Sequence, residues 1–206
     1  MTAFMLIRHG HCDPVGRYIS GRKSGIHLSE RGKKQAIELV DRLKETEIEA
    51  IYCSPLERAR ETALPLAVQR GLSLNIVEDL SEVDYGLWTG KSFEELSFDP
   101  LWAQYNTYRG RVRIPDGEMM LEVACRMSAF MERIRKVHSG TVVLVSHGDP
   151  IKSAIAHYAG IPLDFLLRFD VQPASVSILE IDDYGTQVLT VNNYLQEQDS
   201  VHDSLP

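Results

Sequence analysis

The sequence predicts an α/β fold, a three-layer α/β/α sandwich with a mostly parallel central sheet. Short apolar stretches alternate along the chain with longer stretches whose apolar residues recur at helical spacing. Residues 141–145 are β-branched and apolar almost throughout, as expected of a central strand that helices cover on both faces. The chain has 206 residues, 44% of them hydrophobic, and shows neither a repeat nor a linker, so we treat residues 1–206 as a single domain.

The first predicted strand and the first predicted helix are joined by a polar loop. Residues 4–8 form an apolar run typical of a buried strand. Ser29 is the predicted N-cap of the helix that follows, because a serine hydroxyl can accept a hydrogen bond from a free amide of the first turn. The apolar residues that recur on one face of this helix are Ala36, Leu39, Val40 and Leu43. The pattern therefore predicts a helix that starts directly after Ser29.

A second strand is predicted at residues 50–53, and the next helix follows it directly. In this predicted helix start, Ser54 is the N-cap, Pro55 takes the first helical position and Glu57 completes a capping box. Proline suits that position because the first amides of a helix have no partner within the helix. We therefore expect the helix to begin at Pro55.

The second half of the chain completes the predicted sheet. Residues 74–77 read as an edge or exposed strand, and a long amphipathic helix is expected from about residue 118 to 137. Residues 141–145 follow as the central strand, with another helix after them. Residues 176–181 and 187–191 read as a closing strand pair that turns through a short polar segment.

Composition narrows the classes of function. A formal net charge of −7 argues against a nucleic-acid partner, which would need many Lys and Arg contacts to phosphates. No apolar run is long enough to span a bilayer and no signal-peptide pattern is visible, so we expect a cytoplasmic protein with no membrane partner. Cys12, Cys53 and Cys125 are widely spaced and predict free thiols. An apolar C-terminal surface is compatible with a homodimer, and residues beyond Gln196 are expected to fray.

Polar side chains recur where predicted strands end. Arg8 and His9 follow the first strand, Arg58 lies in the first turns after the second, Glu82 follows the edge strand, and His147 follows the central strand. The carboxyl ends of parallel strands share one rim of a sheet, and open α/β folds bind ligands at that rim. These five side chains are therefore expected to converge on one pocket.

The composition of this rim points to phosphate chemistry. Arginine is suited to phosphate because its planar guanidinium can hold two oxygens at once. The amides of the helix that starts at Gly148 would add to the positive field. A single carboxylate, Glu82, among these cationic groups reads as a proton carrier, because a carboxylate that only balanced charge would weaken phosphate binding. We therefore expect a reaction site for a phosphate dianion.

Five short motifs in order resemble those of the histidine phosphatase superfamily, in the branch of cofactor-dependent phosphoglycerate mutases and small bacterial phosphatases. The motifs lie at residues 6–10, 54–63, 80–90, 115–118 and 145–148, and the resemblance spans about residues 4 to 180. They contain Arg-His-Gly, Ser-Pro-Leu-x-Arg-Ala, Ser-Glu-x-x-Tyr-Gly, Pro-x-Gly-Glu and Ser-His-Gly. The resemblance implies the phosphoglycerate mutase-like version of the α/β/α fold.

The resemblance also implies roles for the five rim residues. His9 would be the nucleophile that becomes phosphohistidine, with Arg8, Arg58 and a protonated His147 holding the phosphate oxygens. Glu82 would be the general acid and base. The expected activity is hydrolysis of a small phosphorylated metabolite without a metal or cofactor, since the arginines supply the positive charge. The alternatives are a phosphoglycerate mutase and a phospho-ligand binding module that has lost turnover.

The loop after His9 departs from the family pattern. Relatives commonly continue with Glu-Thr-x-x-Asn, whereas residues 11–15 of this chain read His-Cys-Asp-Pro-Val. An asparagine contact to phosphate is therefore missing. Arg17, or the turn that contains Ser20, Gly21 and Arg22, is a candidate for the replacement contact and for binding substrate.

The segment from about residue 87 to 116, which we call the excursion, has two interpretations. It mixes aromatic side chains with Arg109, Arg111 and Arg113. In one interpretation it is a lid whose aromatics contact the organic part of a substrate, and in the other its aromatics anchor it to the core. Phosphoglycerate mutases of this family carry a longer insertion here, so the shorter segment favours hydrolysis.

Other chemistries fit the sequence less well. Four residues separate Cys12 from Arg17 and Cys53 from Arg58, one fewer than the loop of a cysteine phosphatase encloses. An aspartyl-phosphate enzyme would have Asp-x-Asp after the first strand, which is absent. A metal site from residues 9, 11, 12 and 13 would use neighbouring positions of one loop, without the spacing typical of metal ligands.

Overall fold

The computed structural model describes residues 1–194, and residues 195–206 of the predicted domain lie outside the described part. Within it, six strands form one sheet: β1 (Thr2–Arg8), β2 (Ala50–Cys53), β3 (Leu74–Ile76), β4 (Thr141–Ser146), β5 (Val176–Ile181) and β6 (Thr186–Asn193). Their order across the sheet is β3-β2-β4-β1-β5-β6. The first four strands in this order run parallel, and β5 and β6 add an antiparallel pair at one side. The predicted fold class and the predicted closing pair are confirmed.

Helices cover both faces of the sheet. They are α1 (Glu30–Arg42) and α2 (Glu57–Arg70) on one face, and α5 (Met120–Ile134) and α6 (Gly148–Ala159) on the other. Along β4, Val143 and Val145 pack toward α1 and α2, whereas Val142 and Leu144 pack toward α5 and α6. Successive side chains of a strand point to opposite faces, so an unbroken apolar run fills both core layers. This explains why β4 showed no alternation with polar residues.

The start of α1 agrees with the prediction, and the start of α2 does not. The Ser29 side chain accepts a hydrogen bond from the amide of Gly32, as an N-cap does. In contrast, α2 begins at Glu57 with Leu56 at the N-cap position and without a side-chain cap. The predicted helix start at Pro55 is therefore wrong by two residues. The Ser54 hydroxyl accepts from the amide of Leu56 at 3.3 Å, but it is also hydrogen-bonded to the ring of His147, and the helix begins only after Leu56.

The excursion contains two short helices, α3 (Phe93–Ser97) and α4 (Pro100–Thr107). Ser92 and Glu95 form a capping box at α3, and Asp99 caps α4 with Pro100 at its first position. Trp88 and Tyr105 are buried and pack on each other with ring centroids 5.4 Å apart. The excursion is thus attached to the rest of the molecule by its own apolar cluster.

No helix within residues 1–194 is both long enough and apolar enough to cross a bilayer. The longest helix, α5, has 15 residues, fewer than the stretch from about residue 118 to 137 that the amphipathic pattern predicted. Its apolar face is buried against the sheet and against α6. The predicted helix is present, with both ends moved inward.

Candidate active site

The loop that carries His9 is held by hydrogen bonds to two other elements. The backbone amide of His9 donates to the carbonyl of Ser146 at the end of β4, at 2.9 Å. The amide of Gly10 donates to the hydroxyl of Thr62 in α2, also at 2.9 Å. The same hydroxyl donates to the carbonyl of Arg58 at 2.7 Å. The imidazole is therefore fixed relative to both the central strand and the helix that bears Arg58.

The two ring nitrogens of His9 differ: Nδ1 is engaged in a hydrogen bond with a described residue and Nε2 is not. Nδ1 lies 2.7 Å from the carbonyl oxygen of Gly10. A carbonyl only accepts hydrogen bonds, so Nδ1 carries the proton and Nε2 of the neutral ring keeps its lone pair. Burial lowers the pKa of His9 well below its ordinary value, and the positive charges of Arg58 and Arg8 lower it further. His9 is therefore a neutral imidazole, the form that acts as a nucleophile.

Two arginines beside His9 each have a buried N–H group without a hydrogen-bond partner among the described residues. Arg58 is 1% exposed; its Nη2 donates to the carbonyl of Gly21 at 2.8 Å, while its buried Nη1 has no hydrogen-bond partner. Arg8 donates through Nη1 to the carbonyl of Val171 at 2.6 Å, and its buried Nε has no partner. Buried guanidinium donors of this kind favour an anionic ligand.

His147 lies against His9 and is completely buried. The two ring centroids are 5.1 Å apart. Nε2 shares a hydrogen bond of 2.8 Å with the hydroxyl of Ser54, and Nδ1 lies 4.0 Å from a carboxylate oxygen of Glu82. Burial, Arg58 and His9 lower the pKa of His147 well below its ordinary value. Burial and the neighbouring cations thus favour the neutral ring in the absence of phosphate, whereas the predicted protonated form concerns the ring with phosphate bound.

Hydrogen bonds to its backbone carbonyl hold Glu82 in place, and the pKa of its carboxyl group is raised. Its carbonyl accepts hydrogen bonds from Arg22 at 2.9 Å and from Arg126 at 3.2 Å. The side chain is 16% exposed, and Oε1 accepts from the amide of Val83 at 2.9 Å. Burial raises the pKa of Glu82 to about 7, with a second contribution from the charge of Asp149. A carboxyl with this pKa can both give and take a proton near neutral pH.

These groups meet in one cavity of about 340 Å³. Arg8, His9, Arg58 and Glu82 line it, and His147 lies buried behind His9 and Glu82. We call Arg8, His9, Arg58 and His147 the phosphate pocket. The structure thus brings together all five rim residues that the sequence analysis singled out.

The candidates for the replacement contact are only partly at the cavity. Ser20, Gly21 and Gly148 line it, whereas Arg17 is exposed and lies outside the lining. Arg22 also lies outside the lining, and pairs with Glu118 at 3.0 Å besides its bond to Glu82. The loop before α1 therefore lines the cavity with uncharged residues, among them Tyr18 and Ile19, and adds no further guanidinium.

The opposite wall of the cavity contains residues that the sequence analysis did not assign. Asp149 and Lys152 come from α6, and Tyr85 comes from the segment after Glu82. The excursion contributes four further side chains: Phe93, Trp102, Asn106 and Arg109. Asp149 accepts hydrogen bonds from the hydroxyl of Tyr85 at 2.6 Å and from Arg109 at 2.7 Å.

The aromatic side chains of the excursion are divided between the core and the cavity wall. Trp88 and Tyr105 anchor it to the core, whereas Phe93 and Trp102 face the cavity. Of the three arginines, Arg109 alone lines the cavity. Arg113 pairs with Glu122 on the surface, and the Arg111 guanidinium lies over the Tyr108 ring at 6.0 Å.

Cysteine and metal chemistry have little support at this cavity. Cys12 lines it, but burial raises the pKa of its thiol, which disfavours the reactive thiolate. Burial raises the pKa of Cys53 as well. Across residues 1–194, no three His, Cys, Asp or Glu side chains cluster in a way that could hold a metal ion. The imidazole of His9 is thus the nucleophile best suited to this site.

Comparison with known proteins agrees with this geometry. A family model described as the histidine phosphatase superfamily (branch 1) matches residues 4–194. Phosphoserine phosphatase 1 of Hydrogenobacter thermophilus is 32% identical over 200 residues, which cover 93% of this chain and 92% of that protein. The probable phosphoglycerate mutase GpmB of Escherichia coli O1:K1 is 30% identical over 181 residues, covering 86% of this chain and 84% of the relative.

Structural similarity extends over the same region. The solved structure of Bacillus stearothermophilus YhfR has a TM-score of 0.88 and 30% sequence identity, and the match covers 95% of this chain and 98% of that one. The family match, residues 4–194, includes every residue of the phosphate pocket. The chain belongs to branch 1 of the histidine phosphatase superfamily, and it is a phosphatase.

Proposed function

We propose that this chain hydrolyses phosphomonoesters of small molecules through a phosphohistidine formed on Nε2 of His9. One observation carries the proposal: a neutral imidazole with an uncommitted Nε2 stands beside two arginines with spare donors, and Glu82 lines the same cavity. Nucleophile, anion site and proton carrier are therefore within one small volume.

In the first step, Nε2 of His9 attacks phosphorus and the bond between phosphorus and the ester oxygen breaks. The spare donors of Arg8 and Arg58 stabilise the charge that spreads over the phosphoryl oxygens. Glu82 gives its proton to the departing oxygen, so an alcohol leaves instead of an alkoxide. Its pKa of about 7 means that a large fraction of the carboxyl is protonated at neutral pH.

His147 completes the anion site through its tautomer. When the Ser54 hydroxyl donates to Nε2, the proton of the neutral ring lies on Nδ1, which has no hydrogen-bond partner among the described residues. Nδ1 can then donate to a phosphoryl oxygen. A bound dianion also opposes the effect of the arginines and raises the pKa of this ring, which favours its protonated form during the reaction.

In the second step, a water molecule attacks phosphorus while Glu82, now ionised, takes its proton. The bond between phosphorus and Nε2 breaks, inorganic phosphate leaves, and His9 and protonated Glu82 are restored. The same carboxyl thus acts as an acid and then as a base. We propose no metal in either step, because the arginines supply the positive charge that a metal ion would provide.

The cavity suits a compact substrate. A volume of about 340 Å³ lies at the lower end of the range for small-molecule sites. Lys152 lines the wall, with its ammonium 3.4 Å from a carboxylate oxygen of Asp170, and Phe93 and Trp102 offer apolar contact. Because the Hydrogenobacter relative is a phosphoserine phosphatase, we take phosphoserine as the first substrate to test.

Trapping the phosphoenzyme tests the proposal. The protein is mixed with phosphoserine labelled with ³²P, quenched in alkali and analysed on a gel, with a chelator present throughout. We expect label on the wild-type chain that is released by acid, and no label or turnover with His9→Ala. His157→Ala is the matched control, since this histidine lies on α6 outside the cavity. Turnover by His9→Ala at the wild-type rate would exclude the mechanism.

A mutase would give a different product from the same phosphoenzyme. Labelled 3-phosphoglycerate separates the two, because a mutase yields the 2-isomer and a phosphatase yields free phosphate. We expect free phosphate. Accumulation of the 2-isomer without release of phosphate would contradict the proposal.

We also propose a cytoplasmic homodimer without a nucleic-acid partner. Cys12, Cys53 and Cys125 are free thiols, which suits a reducing compartment. The edge strand β6 exposes Val188, Leu189 and other apolar side chains, which suits contact with a second copy. Light scattering of wild type and Leu189→Lys tests this, with a dimer expected only for wild type.

A further inference from the structure

A second carboxylate lines the cavity beside the phosphate pocket, where negative charge opposes phosphate binding. Asp149 lies in the first turn of α6, directly after His147 and Gly148, and its side chain is 16% exposed. Its Oδ2 accepts from the hydroxyl of Tyr85 at 2.6 Å and from Nη1 of Arg109 at 2.7 Å. Neither the attack on phosphorus nor the hydrolysis of the phosphohistidine requires this carboxylate.

Arg109 balances the charge of Asp149 at a fixed position. Its side chain is 5% exposed, lies over the ring of Tyr105 at 4.8 Å and donates through Nη2 to Asn106 at 3.1 Å. The Asp149–Arg109 pair is neutral overall, so it does not repel a phosphate in the pocket. It remains a dipole, and a neighbouring group responds to whichever end is closer to it.

We propose that Asp149 is a positioning residue that keeps a proton on Glu82 against the pull of Arg58 and Arg8, and that Arg109 limits how strongly it does so. The inference rests on the proposed function, because a proton on Glu82 has a purpose only if Glu82 acts as the general acid. This role accounts for the buried Asp149–Arg109 pair, which phosphate binding alone does not require.

The surroundings of Glu82 leave this task to Asp149. The charged and titratable groups that contact Glu82 or line the cavity with it come from several elements: Arg8 at the end of β1 and His9 after it, Arg22 from the loop before α1, Arg58 from α2, Tyr85 from its own segment, Arg109 from the excursion, Arg126 from α5 together with its partner Glu118, His147 before α6, and Asp149 and Lys152 from α6. The arginines all favour the ionised carboxyl. After burial, the charge of Asp149 is the largest contribution that raises the pKa of Glu82, ahead of the opposing effect of Arg58.

Titration of Glu82 in the free protein tests the proposal without any need for turnover. Side-chain carboxyls labelled with ¹³C are followed by NMR from acid to alkaline pH, and the Glu82 signal is assigned by its loss in Glu82→Gln. We expect Asp149→Asn to lower the titration midpoint of Glu82 by about one pH unit or more, as the loss of a nearby like charge does.

The opposite shift from Arg109 makes the test specific. Arg109→Gln removes the positive charge beside Asp149. Glu82 and Asp149 then titrate as a coupled pair of carboxyls, and the second of their two protons should be lost at higher pH than in wild type. Arg109→Lys keeps the charge and should restore the wild-type midpoint. A general loosening of the site would move both variants in the same direction, so shifts of opposite sign report electrostatics.

Asp164→Asn is the matched control. Asp164 accepts a hydrogen bond from the amide of Gly110 at 2.9 Å, so it holds the same part of the excursion, but it does not line the cavity. We expect no change in the midpoint of Glu82. An unchanged midpoint in Asp149→Asn, or equal shifts in Asp149→Asn and Asp164→Asn, would overturn the proposal. If Asp149→Asn does not fold, an unchanged midpoint in Arg109→Gln does the same. Failure of the phosphohistidine mechanism would appear in the trapping experiment instead.

Discussion

The two ends of the cavity are built in different ways. The phosphate pocket consists of residues that directly follow strands or start the next helix, and backbone hydrogen bonds tie His9 to β4 and α2. The other end is lined by side chains of α6 and of the excursion, where Phe93 remains 41% exposed. We call the end held by backbone hydrogen bonds the rigid end. On the proposed mechanism it carries the reaction, and we expect the end formed by side-chain packing to select the leaving group.

Removal of an arginine from the phosphate pocket should lower turnover of every substrate alike. Arg58→Ala deletes a buried cation that faces the reacting phosphoryl group, and we expect a loss in kcat/KM on the order of 10⁴-fold, as for arginines in other phosphoryl transfer enzymes. Steady-state assays on several phosphomonoesters measure it. Arg60→Ala is the control, since Arg60 is exposed on the same helix. A loss confined to one substrate would break the contrast between the two ends.

Loss of the proton carrier should depend on the leaving group. We expect Glu82→Gln to reduce turnover of phosphoserine on the order of 10³-fold, and that of an aryl phosphate much less, because a phenolate needs little help from an acid. Glu78→Gln, on an exposed residue of the same loop, should be silent.

The pH dependence of wild type follows from the raised pKa of Glu82. The carboxyl is protonated below about 7 and ionised above it. Phosphorylation of His9 by an alkyl ester needs the protonated form, so single-turnover phosphorylation should fall as pH rises through that value. Rapid-quench measurements of phosphoenzyme formation check this, and a rate that increases across the same range would contradict the role of Glu82.

Inorganic phosphate should raise the free energy of unfolding by binding in the phosphate pocket. A ligand that binds only the native state at 100 times its Kd contributes about 2.7 kcal/mol, which is a rise in Tm of roughly 5–10 °C for a chain of this size. Thermal melts with inorganic phosphate or vanadate measure it. Arg58→Ala should abolish the rise, while Phe93→Ala should keep it.

The smallest effect is expected at the outer end. Phe93→Ala removes an aromatic contact to the leaving group, so we expect KM to rise by up to roughly 10-fold for substrates with an apolar body, with kcat nearly unchanged. Phe98→Ala is the control, since Phe98 is 82% exposed and lies outside the cavity. Equal changes in both variants would mean that Phe93 acts through the fold.

The sequence was sufficient to predict the rigid end because strand ends can be located from periodicity. His9, Arg58, Glu82 and His147 each follow an apolar run, and a parallel sheet brings such positions to one edge. The start of α2 was predicted two residues too early. A serine before proline after a strand has the local signature of a cap, and the Ser54 hydroxyl does accept from the amide of Leu56. Its tertiary contact with His147 could not be read from the sequence, however, and the helix begins only at Glu57.

The outer end was not predictable because it depends on how the excursion packs. Nothing in the sequence distinguishes Arg109 from Arg111 and Arg113. Only the folded structure shows that Arg109 lines the cavity. Asp149 did carry a signal, since it follows the Ser-His-Gly motif directly. An acidic residue in a first helical turn is, however, ordinarily explained by the helix dipole, which hides a further task.

The main chain at Glu82 has a consequence for substrate range. Arg22 and Arg126 both donate to its carbonyl, and Glu118 pairs with both of them, so the base of this side chain is clamped from two sides. If Glu82 is the general acid, this clamp and the hydrogen bonds of the His9 loop keep the acid and the nucleophile at one separation, so we expect the position of the bridging oxygen to be the same in every substrate that fits the cavity. New compounds can therefore be accommodated by reshaping the aromatic wall, without altering the path along which the proton travels.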